Sequence, residues 1–428
     1  MTETILIVMA GWLAIMLLGV PIFASMGLAA AAFVWWGGFP GIVIPQKIAQ
    51  AANSFPLLAA PFFILMGNLM NSAGITERIF AFAKVLVGWW RGGLCHANII
   101  GSVIFAGMSG SAVADAAGLG TVEIKAMTDA GYDKETAAAV TAASATIGPI
   151  IPPSLPMVIY GVVAEASIGG LFIAAIIPGL MMAGAMMALV WHMARKRDMP
   201  RETFPSLCDV WVAFRDAFWA IMAPVLLIGG MLSGIFTPTE AAAVAAFYAL
   251  ILGLFIYRDF SIRELPRIIL NTVETTGVVL AVVMCAVLFG WALSVSRLPQ
   301  FVGGTIIGWS DNPLVILLIV NLLLLVVGCF MESIAAILIL VPILVPVALQ
   351  VGIDPIQFGV IFVLNLMIGT LTPPVGIVLF VISKVADLPL ERVTRATAPF
   401  LVPLIAVLAA ISLWPPLTTF LPGQVFGR

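Results

Sequence analysis

Residues 147–153 read I-G-P-I-I-P-P, and residues 368–374 read I-G-T-L-T-P-P. The offset is 369 − 148 = 221. It holds without a gap for Gly107/Gly328, Gly131/Gly352, Asp133/Asp354, Pro152/Pro373, Pro153/Pro374 and Pro178/Pro399. Both stretches sit in apolar sequence, where proline removes a backbone donor and breaks the helical ladder. Unwound backbone at bilayer depth survives only where protein or a water-filled cavity satisfies its carbonyls. Matched interruptions in two halves point to a transporter's binding site.

The rest of the chain identifies the solvent. Of its 428 residues, 62% are hydrophobic and 9% charged, with a mean hydropathy of +1.17. A soluble domain carries about 25% charged residues, so this is an integral membrane protein. Apolar runs of about 20 residues span a bilayer, and such runs fill the chain from Ile5 to Leu421. A net charge of −2 argues against a nucleic-acid partner. Cys95, Cys208, Cys285 and Cys329 show no ligand spacing and read as packing residues. His96 and His192 are too isolated for a metal site, so no transition metal is expected. No G-x-x-x-x-G-K-[ST] occurs, which excludes transport driven by ATP bound to this chain. The start M-T-E-T lacks the basic residues of a secretory signal and reads as the edge of an uncleaved helix.

The run R-K-R-D-M-P-R at 195–201 opens a polar connecting loop over 195–215, expected on the cytoplasmic side. It separates N-terminal scaffold helices (1–53) and a first repeat (54–194) from a second repeat (216–428). Residues 37–50 read as a loop. Ser54–Ser72, with Pro56 and Pro61, and Ser233–Gly253, with F-T-P-T-E at 236–240, fit re-entrant hairpins. Proline-kinked spanning helices fit the same periodicity equally well. Gly107, Gly110, Gly118 and Gly120 crowd one segment around Ser109, Ser111 and Asp115. Glycine costs about 1 kcal/mol per residue in a helix interior. A small-residue packing face explains these glycines, but not Asp115 beside two serines. Broken helices are therefore expected near 107–111 and 148–153, and again near 328–332 and 369–374.

Sodium is a hard cation and takes oxygen ligands. Helices that end inside the membrane expose carbonyls carrying partial negative charge. The first copy offers carbonyls at Gly148 and Ile151 and hydroxyls at Ser109 and Ser111, a set suited to a compact sodium site. The second copy offers Gly369, Leu371 and Thr372, opposite Gly328 and Glu332. Glu332 takes the position of Ser111 (332 − 221 = 111). A carboxylate in apolar sequence is a functional candidate, and an ion pair or a hydrogen bond to a neighbouring helix also accounts for it. Glu240 and Asn365 carry similar weight, with Asn365 the counterpart of Ser144. Glu165 and Glu274 lie nearer helix ends, where solvation is easy. An anionic substrate needs donors, and Ser54, Ser154 and Thr237 could each open a half-helix whose free amides face a cavity.

Several motifs together resemble a known family. They are G-V-P-I-F-A-S-M-G-L at 19–28, S-F-P-L-L-A-A-P-F-F at 54–63, S-G-S-A-V-A-D-A-A-G-L-G at 109–120, G-P-I-I-P-P-S at 148–154 and F-T-P-T-E-A-A-A at 236–243. In that order they are similar to the large membrane subunit of tripartite ATP-independent periplasmic (TRAP) transporters, across essentially the whole chain. The resemblance implies an all-α integral membrane fold of the ion-transporter type. It would have two inverted repeats, each with a re-entrant hairpin and a discontinuous helix, working by an elevator motion. It implies no cofactor beyond coupling sodium ions, and residence in the bacterial inner membrane. The implied partners are a small four-helix membrane subunit, a periplasmic substrate-binding protein and the lipid bilayer. The cargo would be an organic acid such as a C4-dicarboxylate or a sialic acid. By position, the first sodium site would use Ser109, Ser111, Gly148, Ile151 and Pro153. The second would use Gly328, Glu332, Gly369, Thr372 and Pro374, although Phe330 and Glu332 replace its serines. Asp115 would lie by the substrate cavity with Ser154 and Asn365, and Ser54 and Thr237 at hairpin tips. A stand-alone sodium–dicarboxylate symporter keeps the fold without the partners. An intramembrane enzyme lacks support, because no G-x-S-x-G or H-E-x-x-H motif occurs.

Overall fold

A computed structural model describes residues 2–196, 199–308 and 312–427. Positions 197–198 of the expected connecting loop lie outside that range. Among the described residues the regular structure is helical throughout. The first part contains α1 (Thr2–Leu17), α2 (Ile22–Trp36), α3 (Val43–Ala52), a 3-10 turn at Phe55–Leu58, α4 (Ala59–Ser72) and α5 (Ile75–Val87). The first copy of the duplicated sequence follows as α6 (Gly93–Ser109), α7 (Ala112–Ala117), α8 (Leu119–Asp129), α9 (Lys134–Ala145), α10 (Leu155–Val163) and α11 (Ile168–Lys196). Two long segments come next: α12 (Leu207–Leu232), and α13 (Pro238–Ile251) with a π-helical end at Leu252–Ile256. Then come α14 (Leu265–Val295) and α15 (Leu298–Ile307). The second copy is α16 (Pro313–Phe330), α17 (Ser333–Gln350), α18 (Pro355–Gly369), α19 (Ile377–Val385) and α20 (Leu390–Leu413), and α21 (Pro416–Phe426) ends the chain. Eight of the described helical segments are long and apolar enough to cross a membrane. With the composition, they make this a multi-pass membrane protein.

Equivalent positions start equivalent helices. Asp133 caps α9 by accepting from the Thr136 amide at 3.1 Å. Its counterpart Asp354 caps α18 by accepting from the amides of Ile356 and Gln357 at 2.8 and 3.1 Å. Such a cap satisfies amides that a helix start leaves free. Helix α18 is buried from Ile356 to its end, as is α9 from Thr136 onward. These two form the centre of the molecule. Packing around them is crossed: α10 of the first copy rests on α17 and α18, and α19 of the second rests on α7 and α9. Helix α14, of 31 residues, packs against α2, α3, α4 and α17 at the side.

Four expectations change here: the connecting loop expected over 195–215 is already helical from Leu207, where Ser206 caps α12. Residues 54–72 do not double back: the 3-10 turn runs into α4 as one apolar segment. Pro56 lies in the 3-10 turn and Pro61 in the first turn of α4, where the missing amide is no loss. Residues 233–253 likewise hold a turn and then a single helix, with Pro238 at its first position. The helices of the two copies break instead at 110–111 and 331–332, between α6 and α7 and between α16 and α17. The supposed loop at 37–50 already contains the start of α3, which runs to Ala52.

Candidate functional site

Each copy of the duplicated stretch is a gap between two helices. The first separates α9 from α10 at residues 146–154, and the second separates α18 from α19 at residues 370–376. The Pro152–Pro153 and Pro373–Pro374 bonds are both cis. In the first gap, the amides of Ile150 and Ile151 both donate to the Ile147 carbonyl, at 2.9 and 3.0 Å. Among the described residues nothing donates to the carbonyls of Gly148, Ile151 or Pro153. Gly148 and Pro153 are buried, and buried carbonyls without a donor are uncommon. Ser154 is fully buried; its hydroxyl donates to the Pro149 carbonyl and accepts from the Met157 amide at 3.2 Å, capping α10.

The turn between α6 and α7 is seated on this gap. Gly110 has φ +62°, and a Cβ there would stand 2.7 Å from the Pro153 carbonyl oxygen and 3.2 Å from the Leu155 nitrogen. Ser109 donates its hydroxyl proton to Asp115 Oδ1 and accepts from the Ser111 amide at 3.3 Å. Ser111 accepts from the Ala114 amide at 3.4 Å and caps α7. Asp115 is 1% exposed, and its Oδ2 has no hydrogen-bond partner among the described residues. That oxygen lies against Gly148, where any Cβ would overlap it. Ser109, Ser111, Asp115, Gly148 and Pro153 are thus neighbours. The Ile151 side chain turns away, against Gly179 of α11.

The second gap is closed more tightly. A Cβ on Gly369 would lie 2.6 Å from the Gly328 carbonyl carbon, so α16 and α18 meet backbone to backbone. The Gly376 amide donates to the Cys329 carbonyl at 3.1 Å, and the Thr372 hydroxyl donates to the Ile368 carbonyl at 2.9 Å. The Gly369 carbonyl accepts from the Thr372 amide at 2.9 Å, unlike its counterpart Gly148. Pro374 is exposed. Glu332 Oε2 accepts from the amides of Ile334 and Ala335 at 2.9 and 3.3 Å, and Oε1 accepts from the Ser333 hydroxyl at 2.9 Å. Glu332 therefore caps α17 as Ser111 caps α7. The replacement of serine by glutamate keeps that role, and it explains the carboxylate without an ion pair.

The two turns and two gaps enclose a cavity of about 40 Å³, whose polar lining comes from Ser111, Glu332, Ser333 and Thr370 beside Pro149. That volume suits an ion or a water molecule, whereas small-molecule sites hold about 300–1,000 Å³. Larger cavities lie beside this convergence, one of them reaching Pro152 of the first gap. Ser54 borders one of about 600 Å³ with Gln50, Glu165, Trp291 and Ser294. Thr237 borders one of about 410 Å³ with Phe55, Pro152 and Ser167. The expected substrate residues are therefore divided in this conformation. Thr237 and Glu240 exchange hydrogen bonds as a capping pair at the start of α13.

Asn365 does not border these cavities. Its amide donates to Asn321 Oδ1 at 2.8 Å, and Asn321 donates to Ser412 at 3.1 Å. Its counterpart Ser144 donates to Asn98 Oδ1 at 2.6 Å, and Asn98 donates to Thr141 at 2.7 Å. In both copies an asparagine on the preceding long helix holds the discontinuous helix. Replacing Asn321 with alanine removes the side-chain acceptor of the buried Asn365 amide, which keeps only the Asn321 backbone carbonyl at 3.1 Å, and removes the donor to Ser412, at a cost of about 1 kcal/mol. The thermal midpoint is expected to fall, and Asn321→Ser, which retains an acceptor, to recover part of the loss. Sequence reading missed Asn98, Asn321, Ser333, Thr370 and Glu123. Glu123 is 1% exposed with Oε1 unpartnered among the described residues. The rule that flagged Glu332 would have found it.

Comparison with known proteins follows this geometry. Residues 9–417 match the family model described as the tripartite ATP-independent periplasmic transporter, DctM component. The chain is 49% identical over 418 residues to the large permease protein of the sialic acid TRAP transporter of Vibrio cholerae, covering 97% of this chain and 98% of that one. It is 38% identical over 433 residues to the large permease protein of the C4-dicarboxylate TRAP transporter of Rhodobacter capsulatus, covering 98% of each. Against the sialic acid TRAP transporter permease protein of Haemophilus influenzae the identity is 43%, over 99% of this chain and 69% of the longer relative. The crystal structure of the Alcanivorax borkumensis YdaH transporter superposes with a TM-score of 0.65 at 14% identity, covering 87% of both chains. That likeness concerns the fold alone.

Proposed function

This chain belongs to the DctM-component family of tripartite ATP-independent periplasmic transporters, and from that membership we propose sodium-coupled uptake of an organic acid. The protein is the large permease subunit of such a transporter. The observation that carries the coupling is the first gap, where the carbonyls of Gly148, Ile151 and Pro153 have no donor among the described residues and where Gly148 and Pro153 lie against Asp115 and the turn that holds Ser109 and Ser111. A sodium ion there would take the Gly148, Ile151 and Pro153 carbonyls together with the two serine hydroxyls. No cofactor beyond sodium enters this reading. A second ion would sit among Gly328, Glu332, Gly369, Thr372 and Pro374, with a different ligand set, since Glu332 is engaged in capping and the Gly369 carbonyl is already bonded.

The cargo is a carboxylate of the kind named for the relatives, a sialic acid or a C4-dicarboxylate. A free carboxylate is very costly to desolvate, and bound cations offset its charge. The small cavity between the turns would be the closed form of the substrate site, bordered by Ser111, Glu332 and Thr370 and backed by Asp115. Opening it requires the α6–α8 and α16–α17 hairpins to move. These re-entrant pairs and the two discontinuous helices would form the moving body of an elevator, built from two inverted repeats. Delivery by a periplasmic binding protein and association with a small four-helix membrane subunit, in the bacterial inner membrane, complete the proposal. Each net positive charge carried inward gains about 2.3 kcal/mol per 100 mV, so uptake with excess sodium is electrogenic.

Ser111→Ala is expected to raise the sodium concentration for half-maximal uptake about fivefold, in line with the loss of one ion ligand worth about 1 kcal/mol. Sodium titration in proteoliposomes with matched protein content reads the shift, and an unchanged titration removes Ser111 from the ion site. Uptake without any binding protein would favour a stand-alone symporter instead.

A further inference from the structure

A second site lies far from the gaps, at the basic end of α11. Trp89, Trp90 and Arg91, from the turn between α5 and α6, face Trp191 and Arg195 of α11 and Arg201 of the connecting segment across a cavity of about 510 Å³. The Arg195 guanidinium stacks 3.6 Å above the Trp191 ring. None of these three arginines has a carboxylate partner among the described residues. The one acidic residue in the adjoining cavity, Glu202, is paired with Lys84 at 2.7 Å. The walls are tied in place: the Tyr132 hydroxyl donates to the Pro200 carbonyl at 2.7 Å, and the Glu202 amide donates to the Gly88 carbonyl at 3.0 Å.

Position selects the ligand. Helix α11 has 29 residues, a length of about 43 Å at 1.5 Å per residue. The hydrocarbon core is about 30 Å thick, so the arginine-bearing end of α11 emerges at the level of lipid headgroups. Tryptophan concentrates at that level, and basic pockets between membrane helices suit anionic headgroups. The three guanidiniums present paired donors matched to phosphate oxygens, and the indole rings suit glycerol and the first acyl carbons.

We propose that this pocket binds the phosphodiester headgroup of an anionic phospholipid, bridging the α5–α6 turn, the end of α11 and the segment that joins the two halves. Native mass spectrometry of the full chain, with phosphatidylglycerol and phosphatidylcholine supplied together, tests it. Phosphatidylglycerol is expected to be retained about tenfold over phosphatidylcholine, a preference arising from several basic side chains. Arg91→Gln/Arg195→Gln/Arg201→Gln is expected to abolish that preference, and Arg258→Gln/Arg263→Gln/Arg267→Gln to leave it intact. Should the triple variant fail to fold, Arg195→Gln alone is expected to weaken retention about fivefold. Millimolar inorganic phosphate should not displace the lipid. Equal retention of the two lipids, an unaffected Arg195 variant, or displacement by inorganic phosphate would each overturn the assignment.

Discussion

Gly110→Ala is expected to reduce sodium-driven uptake more than tenfold while the protein still inserts and purifies. Two costs coincide at this residue. A non-glycine residue at φ +62° is strained by about 1–3 kcal/mol. The added methyl also meets the Pro153 carbonyl oxygen at 2.7 Å, so the turn must lift off the first gap. Each 1.4 kcal/mol is a factor of ten, and the displaced atoms are those proposed to hold the ion. Gly131→Ala supplies the control. Gly131 has φ +85°, with nothing within 4 Å of the place a methyl would take. It carries comparable backbone strain and no collision. Equal uptake by the two variants would show that seating the turn on Pro153 is unimportant.

Gly369→Ala acts in the second copy and is expected to lower stability as well as transport. The new methyl would stand 2.6 Å from the Gly328 backbone, which cannot rotate aside as a side chain can. Helices α16 and α18 must separate, and overpacking of this kind costs about 1–3 kcal/mol. A fall of several degrees in thermal midpoint, together with loss of uptake, is the expected result. Gly304→Ala, with open space around its Cβ, should leave both unchanged. A Gly369→Ala protein of native stability and activity would mean that the close approach of the two backbones is dispensable.

Legibility in the sequence followed the strength of each local rule. The two gaps could be read because adjacent prolines deep in apolar sequence break a helix, as the spaced pairs inside α17 and α20 do not, and the constant offset of 221 residues (369 − 148) aligned them. The caps at Asp133 and Asp354 follow from the same alignment. The segments at 54–72 and 233–253 were read as hairpins because a proline at a helix start and a proline at a reversal look alike in one dimension. Pro56, Pro61 and Pro238 are of the first kind. The break at 331–332 falls on methionine and glutamate, and nothing in that pair marks an interruption. Glu332 looked like a departure from its serine counterpart, since the alignment compares side chains and not the amides they cap. Ser54 and Thr237 belong to other cavities because spacing along the chain carries no information about which of several helix starts share a space.

The crossed packing makes each half depend on the other. The half-helix after each break leans on helices of the other half: α10 on α17 and α18, α19 on α7 and α9. One half by itself would leave its broken end uncovered in lipid, where unpaired peptide groups cannot persist. A chain holding one copy and packed this way would need a twin to supply the cover for its broken end. Within one chain the two copies need not match, and at the caps of α7 and α17 they do not: serine stands at 111 and glutamate at 332.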